Sequence, residues 1–276
     1  MWQQLHVIGG RKSMTKLKPE TTLTNAFPKN RKALIGFVTA GDPSFEQSVA
    51  EILTLAQAGT DIIEIGIPFS DPVADGPVIQ AADLRAFAAG MTTERVFELV
   101  TAVRQKSQVP LALLVYLNNV FKYGYERFFK RCAELQIGGL IIPDLPAEER
   151  AEVLPFAQKY GCALIPLVAP TSGKRIPQVV AGTSGFVYAV SSMGVTGTRE
   201  EIKTNLTKML AQIRQATDLP IAVGFGIHTA KQAADVAAIA DGVIVGSAIV
   251  QLIAAKDETV SDKLDHYVRE LKAAIN

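Results

Sequence analysis

The stretch Asp61-Ile62-Ile63-Glu64-Ile65-Gly66-Ile67 decides the fold. It is too short for a globular helix, and it is apolar at nearly every position rather than at every second one. That is the pattern of a strand buried on both faces of a parallel sheet. Runs of the same kind recur at Ala33–Val38, Leu111–Tyr116, Gly139–Ile142, Ala163–Val168, Gly185–Val190, Ile221–Gly224 and Gly242–Val245. Helical periods lie between them: Val49, Ile52, Leu53 and Ala56 behind a Ser44…Gln47 capping box, then Val96, Leu99, Val100 and Val103 starting at Thr92, and finally Val260, Leu264, Val268, Leu271 and Ile275. Strand–helix alternation with right-handed crossovers builds either an open doubly wound sheet or a closed barrel. Eight equal repeats in 276 residues favour closure. The expected fold class is therefore α/β, a (β/α)8 TIM barrel in one domain over residues 14–276, with an extra N-terminal helix from Leu23 to Asn30 covering the barrel floor.

Composition narrows the function classes. With 48% hydrophobic and 20% charged residues the chain has material for a large core, which excludes a disordered protein. Its formal net charge is +1 and the basic residues are scattered, so the stripe of charge used to bind nucleic acid is missing. No apolar run approaches the roughly 20 residues of a membrane span. Met1 to Ser13 places its basic residues after its apolar ones, the reverse of a signal peptide, and a cytoplasmic location is expected. Met14 reads as a natural start, so residues 1–13 are expected to be a disordered upstream extension or a cloning scar. Cys132 and Cys162 lack metal-type spacing and read as reduced, structural thiols.

In a barrel of this kind the chemistry belongs to the C-terminal strand ends and the loops that follow them. Period-2 alternation puts Glu64 on the face shared by Ile62 and Gly66, toward the barrel mouth. There it is either a proton-transfer group with a raised pKa or a structural carboxylate paired to a base. The next loop, Pro68-Phe69-Ser70-Asp71-Pro72-Val73-Ala74-Asp75-Gly76-Pro77, holds two more acids. They either flank a substrate with Glu64 or start turns and cap a helix near Pro77. Gly224-Phe225-Gly226 and Gly246-Ser247 follow the last two strands, the usual barrel place for a phosphate held by backbone N–H groups. Gly194-Val195-Thr196-Gly197 adds a glycine-hinged loop able to close over a ligand. Tyr188 points either into the core or at that ligand. His228 reads as a residue at a helix start, and neither a metal-ligand set nor a nucleophilic triad is visible among the histidines and cysteines. Acid–base work by carboxylates is what remains.

The run from Ile63 to Pro77 resembles the signature of the tryptophan synthase alpha-subunit family. Supporting matches are Phe37-Val38-Thr39-Ala40-Gly41-Asp42-Pro43, Ile141-Ile142-Pro143-Asp144-Leu145-Pro146, the Gly194 and Gly224 loops and Gly246-Ser247-Ala248-Ile249-Val250, so the resemblance covers Leu23 to the C-terminus. It implies retro-aldol cleavage of indole-3-glycerol phosphate to indole and glyceraldehyde 3-phosphate. Glu64 would then move the protons and Asp75 would stabilise positive charge on the indole nitrogen. The resemblance further implies a substrate pocket of Phe37, Thr39, Ile79, Leu114, Ile141, Tyr188, Thr196 and Phe225, with phosphate held by Gly197, Gly226, Gly246 and Ser247. No cofactor is implied in this chain. Pyridoxal phosphate (PLP) would belong to a beta-subunit partner in an alpha2beta2 complex, docked against Asp71, Pro72, Asn118 and Pro146. One departure is Ser191-Ser192-Met193-Gly194, where some relatives carry an arginine before the glycine. The rival readings are another phosphate-binding barrel, which would lack the Glu64…Asp75 loop, a weakly active scaffold subunit, and a stand-alone indole-releasing lyase.

Overall fold

The computed structural model describes residues 19–191, 199–224, 226–255 and 259–276. The expected 1–13 extension lies outside them. Among the described residues nine parallel strand segments form one sheet: β1 Ala33–Thr39, β2 Ile62–Gly66, β3 Leu111–Leu114, β4 Ile137–Ile141, β5 Ala163–Leu164, β6 Leu167–Val168, β7 Val187–Val190, β8 Ile221–Gly224 and β9 Gly242–Val245. Their order, β5-β4-β3-β2-β1-β9-β8-β7-β6, begins and ends on one stretch of chain.

That stretch closes the barrel. The single strand expected at Ala163–Val168 is two segments, because Pro166 has no N–H to give to a ladder. Ile165 still donates its N–H to the Leu140 carbonyl at 2.9 Å, while the Pro166 carbonyl accepts from Tyr188 N–H at 3.0 Å. The proline thus turns the chain from pairing with β4 to pairing with β7.

Side chains alternate as the sequence pattern requires. Ile35, Ile62, Ala112, Ile141, Phe186, Ala222 and Ile244 fill the interior, and Leu23 plugs it from below. Leu34, Val38, Ile63, Ile65, Val243 and Val245 face the helices. The N-terminal helix runs Pro19–Asn25, not Leu23–Asn30. Pro28 cannot continue a helix, and Phe27 instead packs its ring 5.4 Å from that of Phe186.

Ser44 caps the helix Phe45–Ala58 through Gln47 N–H as expected, but the buried stripe includes Glu51. Periodicity marks the apolar residues of that helix and cannot reveal a carboxylate carried inside with them. Burial, with repulsion from Asp42 adding to it, pushes Glu51 up to about 8 from 4.5. The folded chain therefore keeps a proton that the unfolded chain loses above about 4.5. Its contribution to stability is complete below that pH and is lost as pH rises through about 8. Glu51→Gln should remove this loss: melting temperatures of variant and parent, compared at about pH 5 and pH 9, should separate in favour of the variant only at the higher pH. A parallel pH dependence in both proteins would overturn the assignment.

The helix Thr93–Arg104 buries Val96, Leu99, Val100 and Val103, and the helix Val260–Ile275 buries its five expected positions. Cys132 and Cys162 are buried free thiols. No helix of the described residues is long and apolar enough to cross a membrane.

Candidate active site

The C-terminal mouth of the barrel holds a cavity of about 390 Å³, within the roughly 300–1,000 Å³ of ordinary small-molecule sites. Glu64 stands in its wall from the inward face of β2, 1% exposed, and neither carboxyl oxygen has a hydrogen-bond partner among the described residues. Desolvation, with repulsion from Asp75 adding to it, pushes Glu64 up to about 8 from 4.5. At neutral pH this group therefore carries a proton. It is not a structural carboxylate neutralised by a base.

Asp75 lies across the same cavity in the loop between β2 and the helix Pro77–Ala88. Its environment differs in one decisive contact: the Tyr116 hydroxyl donates to Asp75 Oδ2 at 2.8 Å. Burial raises the Asp75 pKa and that hydrogen bond opposes the rise. The same hydroxyl accepts from Ala74 N–H at 3.0 Å, so Tyr116 also fixes the loop backbone beside Asp75. Two carboxylates thus face one cavity, the first with no donor and the second with one. Such a difference in hydrogen bonding acts to drive the pKa values of the two carboxyl groups apart.

Apolar walls surround them. Phe37, Ile79 and Leu114 line the cavity as expected from the sequence, and Tyr188 lines it from β7. Two close approaches need glycine. A Cβ at Gly66 would stand 2.7 Å from Phe37 Cζ, and one at Gly224 would stand 2.7 Å from the Tyr188 hydroxyl oxygen. Burial holds the Tyr188 phenol well above its ordinary pKa, so it stays protonated.

At the far side the wall is formed by Gly226, Gly246 and Ser247. Gly246 is the N-cap of the helix Ser247–Ala254 and offers no side-chain cap, which leaves the first N–H groups of that helix without a side-chain acceptor from the cap beside the cavity. These are the groups that an anion at a helix N-terminus uses.

Two expected pocket residues stand off the wall. Thr39 ends β1 at 2% exposure with its hydroxyl unpartnered among the described residues, and Ile141 belongs to the interior apolar layer. Pro143, Leu167, Val190 and Ile244 take wall positions instead. Thr196, Gly197 and Phe225 lie outside the described residues. Asp71, Asn118 and Pro146 are exposed and Pro72 is half-buried; Asp71 and Pro72 lie on the loop after β2, Asn118 in the helix Leu117–Tyr123 that follows β3 and Pro146 on the loop after β4, and none of them lines the cavity. His228 lines the cavity just before the N-cap Thr229, and its own N–H is held by Gln232 at 2.9 Å. Among the described residues no group of histidine, cysteine and carboxylate ligands is placed to hold a metal. Sequence reading places Tyr116 at the end of the third strand but gives it no role, because its partner Asp75 is forty-one positions away.

Comparison with known proteins agrees with this geometry. The family model described as tryptophan synthase alpha chain matches residues 23–276. The chain is 54% identical over 257 residues to the tryptophan synthase alpha chain of Lactiplantibacillus plantarum, covering 93% of this chain and 97% of that one. It is 53% identical over 248 residues to that of Lacticaseibacillus casei, covering 90% and 93%. Among solved structures it is similar to the tryptophan synthase subunit alpha of Legionella pneumophila, with a TM-score of 0.84 at 35% identity over 94% of this chain and 98% of that one. It is also similar to a chain of the aminoacrylate-bound tryptophan synthase of M. tuberculosis, with a TM-score of 0.83 at 33% identity over 92% and 99%.

Proposed function

The chain belongs to the tryptophan synthase alpha chain family, and from that premise we propose how its own residues carry the reaction. The reaction is the lyase step of tryptophan biosynthesis that splits indole-3-glycerol phosphate into indole and glyceraldehyde 3-phosphate. Protonated Glu64 gives its proton to indole C3, leaving a positive charge delocalised onto the ring nitrogen. Asp75, whose ionised form the Tyr116 hydrogen bond favours, stabilises that charge. Ionised Glu64 then takes the proton of the hydroxyl on the carbon bonded to C3. The carbon–carbon bond breaks, its electron pair returns to the ring and quenches the charge, and the hydroxyl carbon becomes the aldehyde. Glu64 ends as it began, protonated.

The observation that carries this reading is the contrast between the unpartnered, proton-holding Glu64 and the Tyr116-bound Asp75 in one mostly apolar cavity. Gly226, Gly246 and Ser247 would hold the phosphate. Phe37, Ile79 and Leu114 would pack the indole. Thr196, Gly197 and Phe225 belong to the same proposal by position in sequence. No step asks for a cofactor in this chain, and PLP belongs to the beta partner.

The beta subunit is placed against Asp71, Pro72, Asn118 and Pro146 in an alpha2beta2 complex. Val73 at 86% and Phe121 at 62% exposure, on the loop after β2 and the helix after β3, leave apolar side chains on the same elements for such a partner to cover. A cytoplasmic location follows from the biosynthetic role.

Assay of the purified chain on indole-3-glycerol phosphate, with and without a beta subunit, tests the assignment. Indole should appear in both cases and faster with the partner, whose docking orders the loops. No cleavage in either condition would overturn it.

A further inference from the structure

The wall on the Gly226 side of the cavity carries one polar side chain that the reaction above leaves without a task. His228 is exposed and lines the cavity two positions after Gly226. Its main chain is committed elsewhere: the His228 N–H goes to Gln232 Oε1 at 2.9 Å, and its carbonyl accepts from the Tyr267 hydroxyl at 2.9 Å. Tyr267 belongs to the helix Val260–Ile275 and is half-buried against the core. Gln232 Oε1 also accepts from Thr229 N–H at 3.1 Å, and Thr229 Oγ1 accepts from Gln232 N–H at 3.2 Å. This capping box closes the start of the helix Ala230–Ala237 on itself, unlike that of Ser247–Ala254, whose N-cap makes no side-chain bond. What the chain after Gly226 still has to offer a ligand is the His228 imidazole, whose ring nitrogens have no hydrogen-bond partner among the described residues.

We propose that His228 is a specificity-determining residue that recognises the phosphate of the substrate through its imidazole. The proposal rests on Gly226, Gly246 and Ser247 forming the phosphate site given above. Charge is the argument. A phosphate monoester brings roughly two negative charges near neutral pH, and two carboxyl groups, Glu64 and Asp75, already line the same cavity. A helix N-terminus offsets only about half a charge. Among the described residues His228 is the one side chain of the wall that can be a cation. An imidazole gives one N–H when neutral and two when protonated, and a charge-assisted bond to phosphate is roughly twice as strong as a neutral one. With its N–H held by Gln232 and its carbonyl by Tyr267, His228 reaches from a fixed point, so less ordering is lost on binding. A leucine would fill similar space with neither donor nor charge.

Indole-3-glycerol phosphate and its dephosphorylated counterpart, indole-3-glycerol, give the test, with inorganic phosphate as a competing ion. His228→Leu should raise KM for the phosphorylated substrate by about tenfold with kcat within about twofold, because the phosphate is bound equally in the ground and transition states. On indole-3-glycerol the same variant should keep kcat/KM within about twofold of the parent. The inhibition constant of inorganic phosphate should rise by about tenfold as well. If His228→Leu does not fold, His228→Ala takes its place. A parental KM for the phosphorylated substrate, an equal loss on both substrates, an unchanged inhibition constant for phosphate, or a loss confined to kcat would each overturn the proposal. Ser247→Asp, which sets a carboxylate in the same wall, is run beside it. If that variant keeps the parental KM for the phosphorylated substrate, the phosphate site itself has failed; if it loses affinity while His228→Leu does not, only the present inference has.

Discussion

Replacing Glu64 with glutamine lowers kcat for indole release by about 10²–10⁴-fold, the usual range for loss of a general acid–base group, while KM changes little. The size follows from the site. Glu64 serves both proton transfers of the proposed reaction, and an amide can neither give up the first proton nor accept the second. The near-isosteric side chain keeps the packing of the barrel mouth, so binding is spared. The parent enzyme should lose kcat/KM as pH rises through about 8, where Glu64 of the free enzyme gives up the proton it must donate.

Stability should move the opposite way. A carboxyl raised from 4.5 to about 8 lends its full contribution below about 4.5 and loses it as pH climbs through about 8. Glu64→Gln should therefore melt higher than the parent at about pH 9 and show no such advantage near pH 4. A variant that is more stable in alkali yet nearly inactive is the signature of a group buried for chemistry rather than for packing. Full activity in Glu64→Gln would remove Glu64 from the reaction.

How much of this was legible beforehand depended on whether the signal was periodic or pairwise. Period-2 alternation in Ile62-Ile63-Glu64-Ile65-Gly66 is a local property, and it placed Glu64 on the interior face correctly. The same rule accounts for Ile35 and Tyr188 lying in the interior cluster while Leu34 and Val187 face the helices. It failed at Ala163–Val168, where apolar character persists but Pro166 breaks the ladder, and at Leu23–Asn30, where the helix had already begun at Pro19.

Pairwise facts were invisible. Whether Asp75 caps a helix or faces the cavity could not be settled by a sequence offering both roles, and the answer lies in its contact with Tyr116. Glu51 and Asp83 were unreadable for a related reason: a carboxylate on an apolar helix face looks like an interruption at the edge of a stripe until its neighbours are known. Thr39 and Ile141 carry the converse lesson. Resemblance put them in the pocket, yet the cavity lining in this chain includes Pro143 and Leu167, from the loop after β4 and from β6, and neither of those two.

Changing Asp75 to asparagine should cost about 10²–10³-fold in kcat, the usual price of deleting one preorganised electrostatic contact to developing charge. The amide oxygen can still accept from Tyr116, so the loop pose survives and only the charge is lost. Tyr116→Phe does the reverse: it keeps the charge but removes the donor at 2.8 Å and frees Ala74 N–H, and a loss of about tenfold is expected. The two variants also differ in pH dependence. The Tyr116 hydroxyl lowers the Asp75 pKa, so its removal must raise it, and the anion must then be lost at a higher pH than in the parent. The acid limb of kcat/KM in Tyr116→Phe should shift upward, whereas Asp75→Asn should have no acid limb of this origin. Steady-state rates across the acid range separate the cases. An unshifted limb in Tyr116→Phe would mean that the tyrosine does not hold Asp75 ionised, and the division of labour between the two carboxylates would then need another cause. No other side-chain donor to the Asp75 carboxyl group is present among the described residues, Gln80 giving its amide to the Asp75 backbone carbonyl instead, so the asymmetry on which the proposed reaction depends stands or falls with this one hydroxyl.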